Sequence, residues 1–435
     1  MRFLNASVIV SASLTVVASA ANAQLYQSEA VGTLGGDDTT PSVINNLGVV
    51  SGVSQTADGQ FVAFIKTPDK ALMALDDANW ASVHGMNDLN EVVGVGDNMP
   101  LYWNGSETTT LAIPGTHLSG IAFDINNAGV AVGHSRYVID NFSYTAALKW
   151  DGGVPIELPS LGGSNSAVAI NELGDIVGSS YDSGGDLHSV LWPATGGIIQ
   201  LADLDHAHDV NNAREVAGWV FNGEGGRTAA VWAGGVVTEL GYIAAPRQGA
   251  PISEAVAIAD DGCVGGWSTT RDDYIHAVAW ENGFLIDADE LFVGPGYLSN
   301  AIDMNNARQL LVRGNWNGND DGFILTPIVH PLSLAPPTPG RAGESNELVV
   351  TGATPNARIY FAYSQRSAAT SVQGCVDLFA ALRNPTIAGA VRANASGEAR
   401  VSGFVPIAAQ GAIFGFQAVD PAACVMSNLA TVRFE

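Results

Sequence analysis

Short runs of apolar residues alternate along the chain with polar, glycine-rich turns, and one arrangement of the two occurs seven times. An apolar residue precedes Asn, two residues and usually a Gly follow, and three mostly apolar residues end on a second Gly. The copies start at Ile44-Asn45, Met86-Asn87, Ile125-Asn126, Ile170-Asn171, Val210-Asn211, Ile258-Ala259 and Met304-Asn305. They end at Gly52, Gly94, Gly133, Gly178, Gly218, Gly266 and Val312. The Asn positions, with Ala259 in copy six, lie 42, 39, 45, 40, 48 and 46 residues apart. Short strands at a period of this size point to propeller blades, which bury their faces on one another.

Copy four shows how one period becomes a blade. Residues 166–171, 176–180, 188–192 and 198–204 read as four strands, and 172–175 as a tight turn. Asn171 opens that turn with a side-chain bond to the backbone, and Gly174 accepts its positive φ. Trp192, Trp232 and Trp280 each fall 21 residues after their Asn position, while loop lengths displace Trp103 and Trp150 to 16 and 24. These tryptophans are predicted to fill the seams between blades, with Lys66 and Thr326 taking their place in copies one and seven. Four residues before each Asn position stands a mostly small side chain, three before a bulky one. The two are predicted to interdigitate across the blade faces.

The ends of the repeat region complement each other. Residues 26–35 match the fourth strand of copy three, and copy seven runs into prolines with no fourth strand of its own. The first strand is therefore expected to complete the last blade and remove the open sheet edges. The predicted fold class is all-β: a seven-bladed β-propeller closed by the N-terminal strand, followed by a C-terminal β-sandwich. The expected divisions are a signal peptide over 1–23, the propeller over 24–330, a proline-rich linker over 331–345 and an immunoglobulin-like sandwich over 346–435.

The phrase A-x-x-I-N-x-x-G-x-V-x-G, then H-A-F/V-x-W and an L-G pair, resembles the extracellular HAF repeat of exported bacterial proteins. The triplet stands here as His276-Ala277-Val278 and His188-Ser189-Val190, and in part as Val62-Ala63-Phe64. The resemblance covers residues 24–331 and implies export and a repeated β architecture. It implies no activity.

Arg2, the apolar stretch 6–20 and Ala21-Asn22-Ala23 form a leader with a small-x-small cleavage site, so the mature chain is expected outside the cell or in the periplasm. No later apolar run is long enough for a membrane span. Of the net charge of −25, residues 24–331 hold 37 acidic against 10 basic side chains. Such a surface repels nucleic acid, leaving an extracellular ligand, glycan or protein as the expected partner. Of three cysteines, Cys375 and Cys424 share the second domain and are the predicted disulfide, while Cys263 is expected as a buried thiol.

No cofactor is expected, and no catalytic group stands out. The oxygen-rich run Asn315, Asn317, Asn319, Asp320 and Asp321 has a spacing that could wrap calcium, but lacks a clear bidentate Glu; a hairpin loop reads the same. His206 and His208, flanked by Asp203, Asp205 and Asp209, could hold a divalent metal, though His208 occupies a blade-packing position. Asp124, Asp209 and Asp303 share the place two before Asn and are expected to form a solvated channel rim. The six Asn residues (45, 87, 126, 171, 211 and 305) and the five Trp residues read as architectural. The expected function is a non-catalytic binding or cell-surface interaction protein. The alternatives are a propeller hydrolase or lyase acting on polysaccharide at the channel mouth, and a calcium-stabilised module.

Overall fold

The computed structural model describes residues 25–68, 70–75, 79–292, 296–316, 319–375 and 378–435; the expected leader lies outside them. The protein is all-β, and among the described residues seven antiparallel sheets have four strands each. The chain forms two compact units: residues 29–278 with 296–325, and residues 25–28 and 279–292 with 326–435.

Each of the seven sheets begins on a strand that ends just before the Asn position. In copy four the strands are Gly162–Ile170, Ile176–Asp182, Leu187–Trp192 and Ile199–Gln200, in that order across the sheet. The fourth spans two residues where the apolar pattern suggested seven. In copy seven the order is Gly296–Met304, Leu310–Trp316, Asn319–Pro327 and then Tyr26–Ala30 from the start of the chain. There Val31 N–H donates to Gly322 O at 2.8 Å.

Register explains the recurring side chains. Trp103, Trp150, Trp192 and Trp232 stand opposite Val92, Ala131, Ile176 and Val216, the same rung of each sheet. Loop lengths therefore change the sequence spacing and leave the packing position alone. Lys66 holds that rung in copy one, opposite Val50. In copy seven the rung belongs to Leu325, opposite Leu310, and not to Thr326, because the hairpin before it is one residue shorter in effect.

Every first strand carries a β-bulge three residues before the Asn position, at Ser42, His84, Phe123, Val168, His208, Val256 and Ile302. All seven of these residues are half-buried, since a bulge removes a residue from its ladder and re-aims its side chain, and Val168, Ile302 and Phe123 pack there against neighbouring copies as expected. The small residue before it is buried in all seven copies. Opposite lies the closing Gly of the phrase, as in Ala167 facing Gly178. A Cβ on Gly178 would run into Ser166 O, and one on Gly218 into His206 O, so these copies need glycine where the bulge pulls two backbones together, whereas copy seven fits Val312 opposite Ala301.

In the second unit Ser333–Leu334, Ser345–Thr351 and Ala399–Phe404 form one sheet. Thr386–Arg392, Arg358–Ser364, Ile413–Asp420 and Val425–Met426 form another, with Ala430–Arg433 also paired to Ile413–Asp420. Leu348 and Val350 from the first share a core with Ile359, Phe361, Phe414 and Phe416 from the second. The strand Thr386–Arg392 was not foreseen, its Ala-Gly-Ala centre lacking the β-branched signal of a strand. Cys375 and Cys424 are disulfide-bonded across a Cα separation of 5.5 Å.

Candidate functional site

The seven turns of the first unit, six opened by Asn and one by Ala259, meet in two belts of hydrogen bonds. Each Asn first folds its own turn; Asn171 Oδ1, for example, accepts Leu173 N–H at 3.0 Å and Asp175 N–H at 2.8 Å. Its Nδ2 then reaches the next copy. Asn45 donates to Asn87 O, Asn87 to Asn126 O, Asn126 to Asn171 O, Asn171 to Asn211 O, Asn211 to Ala259 O and Asn305 to Asn45 O, all at 2.9–3.1 Å. Ala259 has no amide to give, and in its place Asp261 Oδ1 caps the turn through Cys263 N–H at 3.0 Å.

The residue after each Asn position makes the second belt. The backbone N–H of Asn46, Asp88, Asn127, Glu172, Asn212, Asp260 and Asn306 each donates to the side-chain oxygen of the next in that order, and Asn306 returns to Asn46, at 2.7–3.0 Å. Sequence reasoning did not find this belt. Its signal was an oxygen-bearing side chain at one place in all seven copies.

The belts surround a polar cavity of about 150 Å3, into which Asp124, Asp209 and Asp303 also open. Each carboxylate ties two copies together. Asp124 accepts Ile125 N–H at 2.8 Å and Ile170 N–H at 2.9 Å. Asp209 accepts Val210 N–H at 2.7 Å and Ile258 N–H at 2.8 Å. Asp303 accepts Met304 N–H and Ile44 N–H, both at 2.8 Å. The intervening copies hold small or apolar side chains there, namely Val43, Gly85, Ala169 and Ala257. Gly85 leaves the room Asp124 uses, since a Cβ on it would stand 2.6 Å from Asp124 Cα and 3.0 Å from its Oδ1.

The residues expected at the rim are half-buried and line this cavity. Burial pushes the Asp303 carboxyl up to about 8, against its two backbone hydrogen bonds, with the negative charge of Asp209 adding to the rise. Burial likewise raises Asp124 to about 7, and Asp209 rises for the same first reason. Carboxyls in this state hold or release a proton near neutrality, as acid–base chemistry requires.

The other candidates fall elsewhere. Asp205 Oδ2 accepts Phe221 N–H at 2.7 Å, and Asp209 turns to the cavity, so the carboxylates flanking His206 and His208 do not gather round them. Among the described residues no group of three or more His, Cys, Asp or Glu is placed to hold a metal. Of the oxygen-rich loop, Asn317 lies outside the described residues, as do the side chains of Asn319, Asp320 and Asp321; Asn315 pairs with Asp320 in a hairpin. Trp150 Nε1 donates to Ala112 O and Trp192 Nε1 to Pro159 O, at 2.6 and 2.7 Å, which ties both rings to the segment that leads into their own sheet. Cys263 is buried and outside the disulfide.

No family model and no curated protein matches the chain. Solved structures do. A prolyl endopeptidase aligns at 8% identity and a TM-score of 0.45, over 73% of this chain and 55% of its own. Puromycin hydrolase aligns at 12% and 0.42, over 77% of this chain and 62% of its own. The chain thus spans less than two thirds of either protein. Both are hydrolases by name, against the expectation of a non-catalytic binding protein.

Proposed function

We propose that the chain is an exported β-propeller hydrolase that cleaves polysaccharide at the mouth ringed by its Asn turns. In this reading the seven four-stranded sheets are seven blades of one HAF-type propeller, shut by Tyr26–Ala30, and an immunoglobulin-like module follows. The belts that return from Asn305 and Asn306 to copy one support the closure. The leader over 1–23 carries the chain out of the cytoplasm.

One observation carries the catalytic reading: three carboxylates that do not recur in every copy open into one cavity. Repetition accounts for residues found in all blades; it does not account for Asp124, Asp209 and Asp303. Two carboxyls that hold protons near neutrality, beside a third whose charge raises them, make an acid and a base at close quarters. A protonated Asp303 or Asp124 would protonate the oxygen leaving a glycosidic bond, and another of the three carboxyls, in its ionised form, would take the proton of the attacking water. No cofactor takes part.

The test is release of reducing ends from neutral polysaccharides by the purified full chain. Activity should appear and fall by at least about 100-fold in Asp303→Asn and in Asp124→Asn. Undiminished turnover in the double variant, or no hydrolysis of any polysaccharide or peptide substrate, would overturn the reading.

A further inference from the structure

One step up the first strand from Asp209, copies five and six build a second cluster that no other copy has. His206 stacks on Trp219 with ring centroids 5.4 Å apart and planes 12° from parallel, and lies 4.6 Å from the His208 ring. The Arg227 guanidinium sits 5.3 Å from the Trp219 ring centre and 5.8 Å from that of Trp267. Arg227 pairs with Glu254, whose other oxygen is 3.7 Å from His208 Nε2. Trp219 meets Phe221 edge-on at 4.9 Å.

This cluster is not explained by the blade. The rung of His206 and Glu254 is Thr40, Ser82, Ile121, Ser166 or Asn300 in the other copies. The rung of Trp219 and Trp267 is Val53, Val95, His134, Ser179 or Arg313. His206 Nδ1, His208 Nε2 and Arg227 Nε are buried with no hydrogen-bond partner. Unpaired polar atoms of this kind cost on the order of 1–3 kcal/mol each. The residues themselves stay reachable, Arg227 with 37% of its side chain exposed and His208 with 29%.

The chemistry selects among ligands. A metal is excluded by the geometry noted above and by the guanidinium in its place. An anion finds no unpaired cation, since Glu254 already neutralises Arg227 and the chain carries a net charge of −25. Burial drives His208 down to about 3 and also lowers His206, so both rings are neutral and each offers one donor and one acceptor. An exposed aromatic ring beside mixed donors and acceptors suits a neutral ring bearing hydroxyls, its C–H face on Phe221, which Trp219 holds edge-on, and its hydroxyls on the exposed edges of His208 and Arg227.

We infer that His206, His208, Trp219, Phe221, Arg227, Glu254 and Trp267 form a binding subsite for a neutral pyranose unit of a glycan chain. It names the substrate class of the hydrolase proposed above and rests on that reading for the ligand's fate, though not for its binding.

Binding is measured by titration calorimetry and tryptophan fluorescence on the full chain, with cellohexaose, laminarihexaose, xylohexaose and mannohexaose as probes and hexagalacturonate as the acidic counterpart. At least one neutral hexasaccharide should bind and perturb the fluorescence. Trp219→Ala and Glu254→Gln should each weaken it about tenfold, with unchanged circular dichroism, and hexagalacturonate should not bind. Binding unaltered in both variants, stronger binding of hexagalacturonate, or no binding by any neutral probe overturns the inference. Hydrolysis that persists alongside such a failure leaves the carboxylate reading standing, and binding without hydrolysis does the reverse.

Discussion

Asn46 Oδ1 accepts the backbone N–H of Asn306 at 2.8 Å, although 260 residues separate the two. That bond completes a belt in which each copy holds the next through one amide and one oxygen. The neighbouring belt lacks a single link, at Ala259. Ala259→Asn should supply it, with Nδ2 aimed at Asn305 O, and stabilise the protein by about 1 kcal/mol. A melting temperature raised by about 2–4 °C is the expected reading. The reverse change, Asn171→Ala, removes bonds to Leu173, Asp175 and Asn211 at once and should cost about 2–3 kcal/mol in denaturant melts.

The close approach at the bulge gives a second expectation. Gly178→Ala would force its new methyl carbon against Ser166 O, backbone that cannot swing aside. A loss of about 3 kcal/mol is expected from chemical denaturation, against about 1 kcal/mol or less for alanine at Gly196, where no atom lies within 4 Å and the cost comes from its positive φ alone. Equal losses at the two sites would mean the bulge is softer than its geometry implies.

Lys66 is buried on the rung where other copies place Trp, and its ammonium is met by Glu29. Glu29→Ala strands that charge and should destabilise by about 3 kcal/mol, whereas Lys66→Leu, which copies the Leu325 solution of copy seven, should be nearly neutral. Thermal melts of both variants decide it, and a harmless Glu29→Ala would show the pair to be dispensable.

The raised carboxyls set a pH dependence whose sign is fixed. Asp303 binds its proton more tightly folded, at about 8, than unfolded, near 3.8. Its contribution to stability is therefore complete below pH 3.8 and is lost as pH rises through about 8. Asn cannot ionise, so the stability of Asp303→Asn relative to the parent should climb between pH 4 and pH 9, by on the order of 2 kcal/mol. A difference that stays flat across that range would contradict the raised pKa.

Much of this architecture could be read from residues alone because its signals are local. Asn, a positive-φ position three residues on, and a short strand leave the same trace in each copy. Where Gly is absent from the turn, Asn90, Arg214 and Arg308 take the left-handed conformation, which a search for glycine alone would pass over. The Asn amides show what is not local. Their Oδ1 atoms obey turn rules written in sequence, whereas the Nδ2 atoms answer to a copy 39–48 residues away, or 260 for Asn305, and so depend on how the sheets are set side by side. The bulge was hidden for a related reason: alternation predicts faces, and one unpaired residue reverses them. The carboxylate cavity was half visible, since the shared place of Asp124, Asp209 and Asp303 could be seen but its burial could not. The cluster at Trp219 draws on five strands from two copies, and no spacing rule joins His206 to Trp267.

Seven is an odd number, so acid and spacer cannot alternate all the way round. Asp303 and Asp124 are separated by two consecutive uncharged places, Val43 and Gly85, while every other gap holds one. A molecule entering there would feel three negative or proton-bearing arms and one bland sector. On the proposed reading, the cavity mouth thereby gains a front and a back.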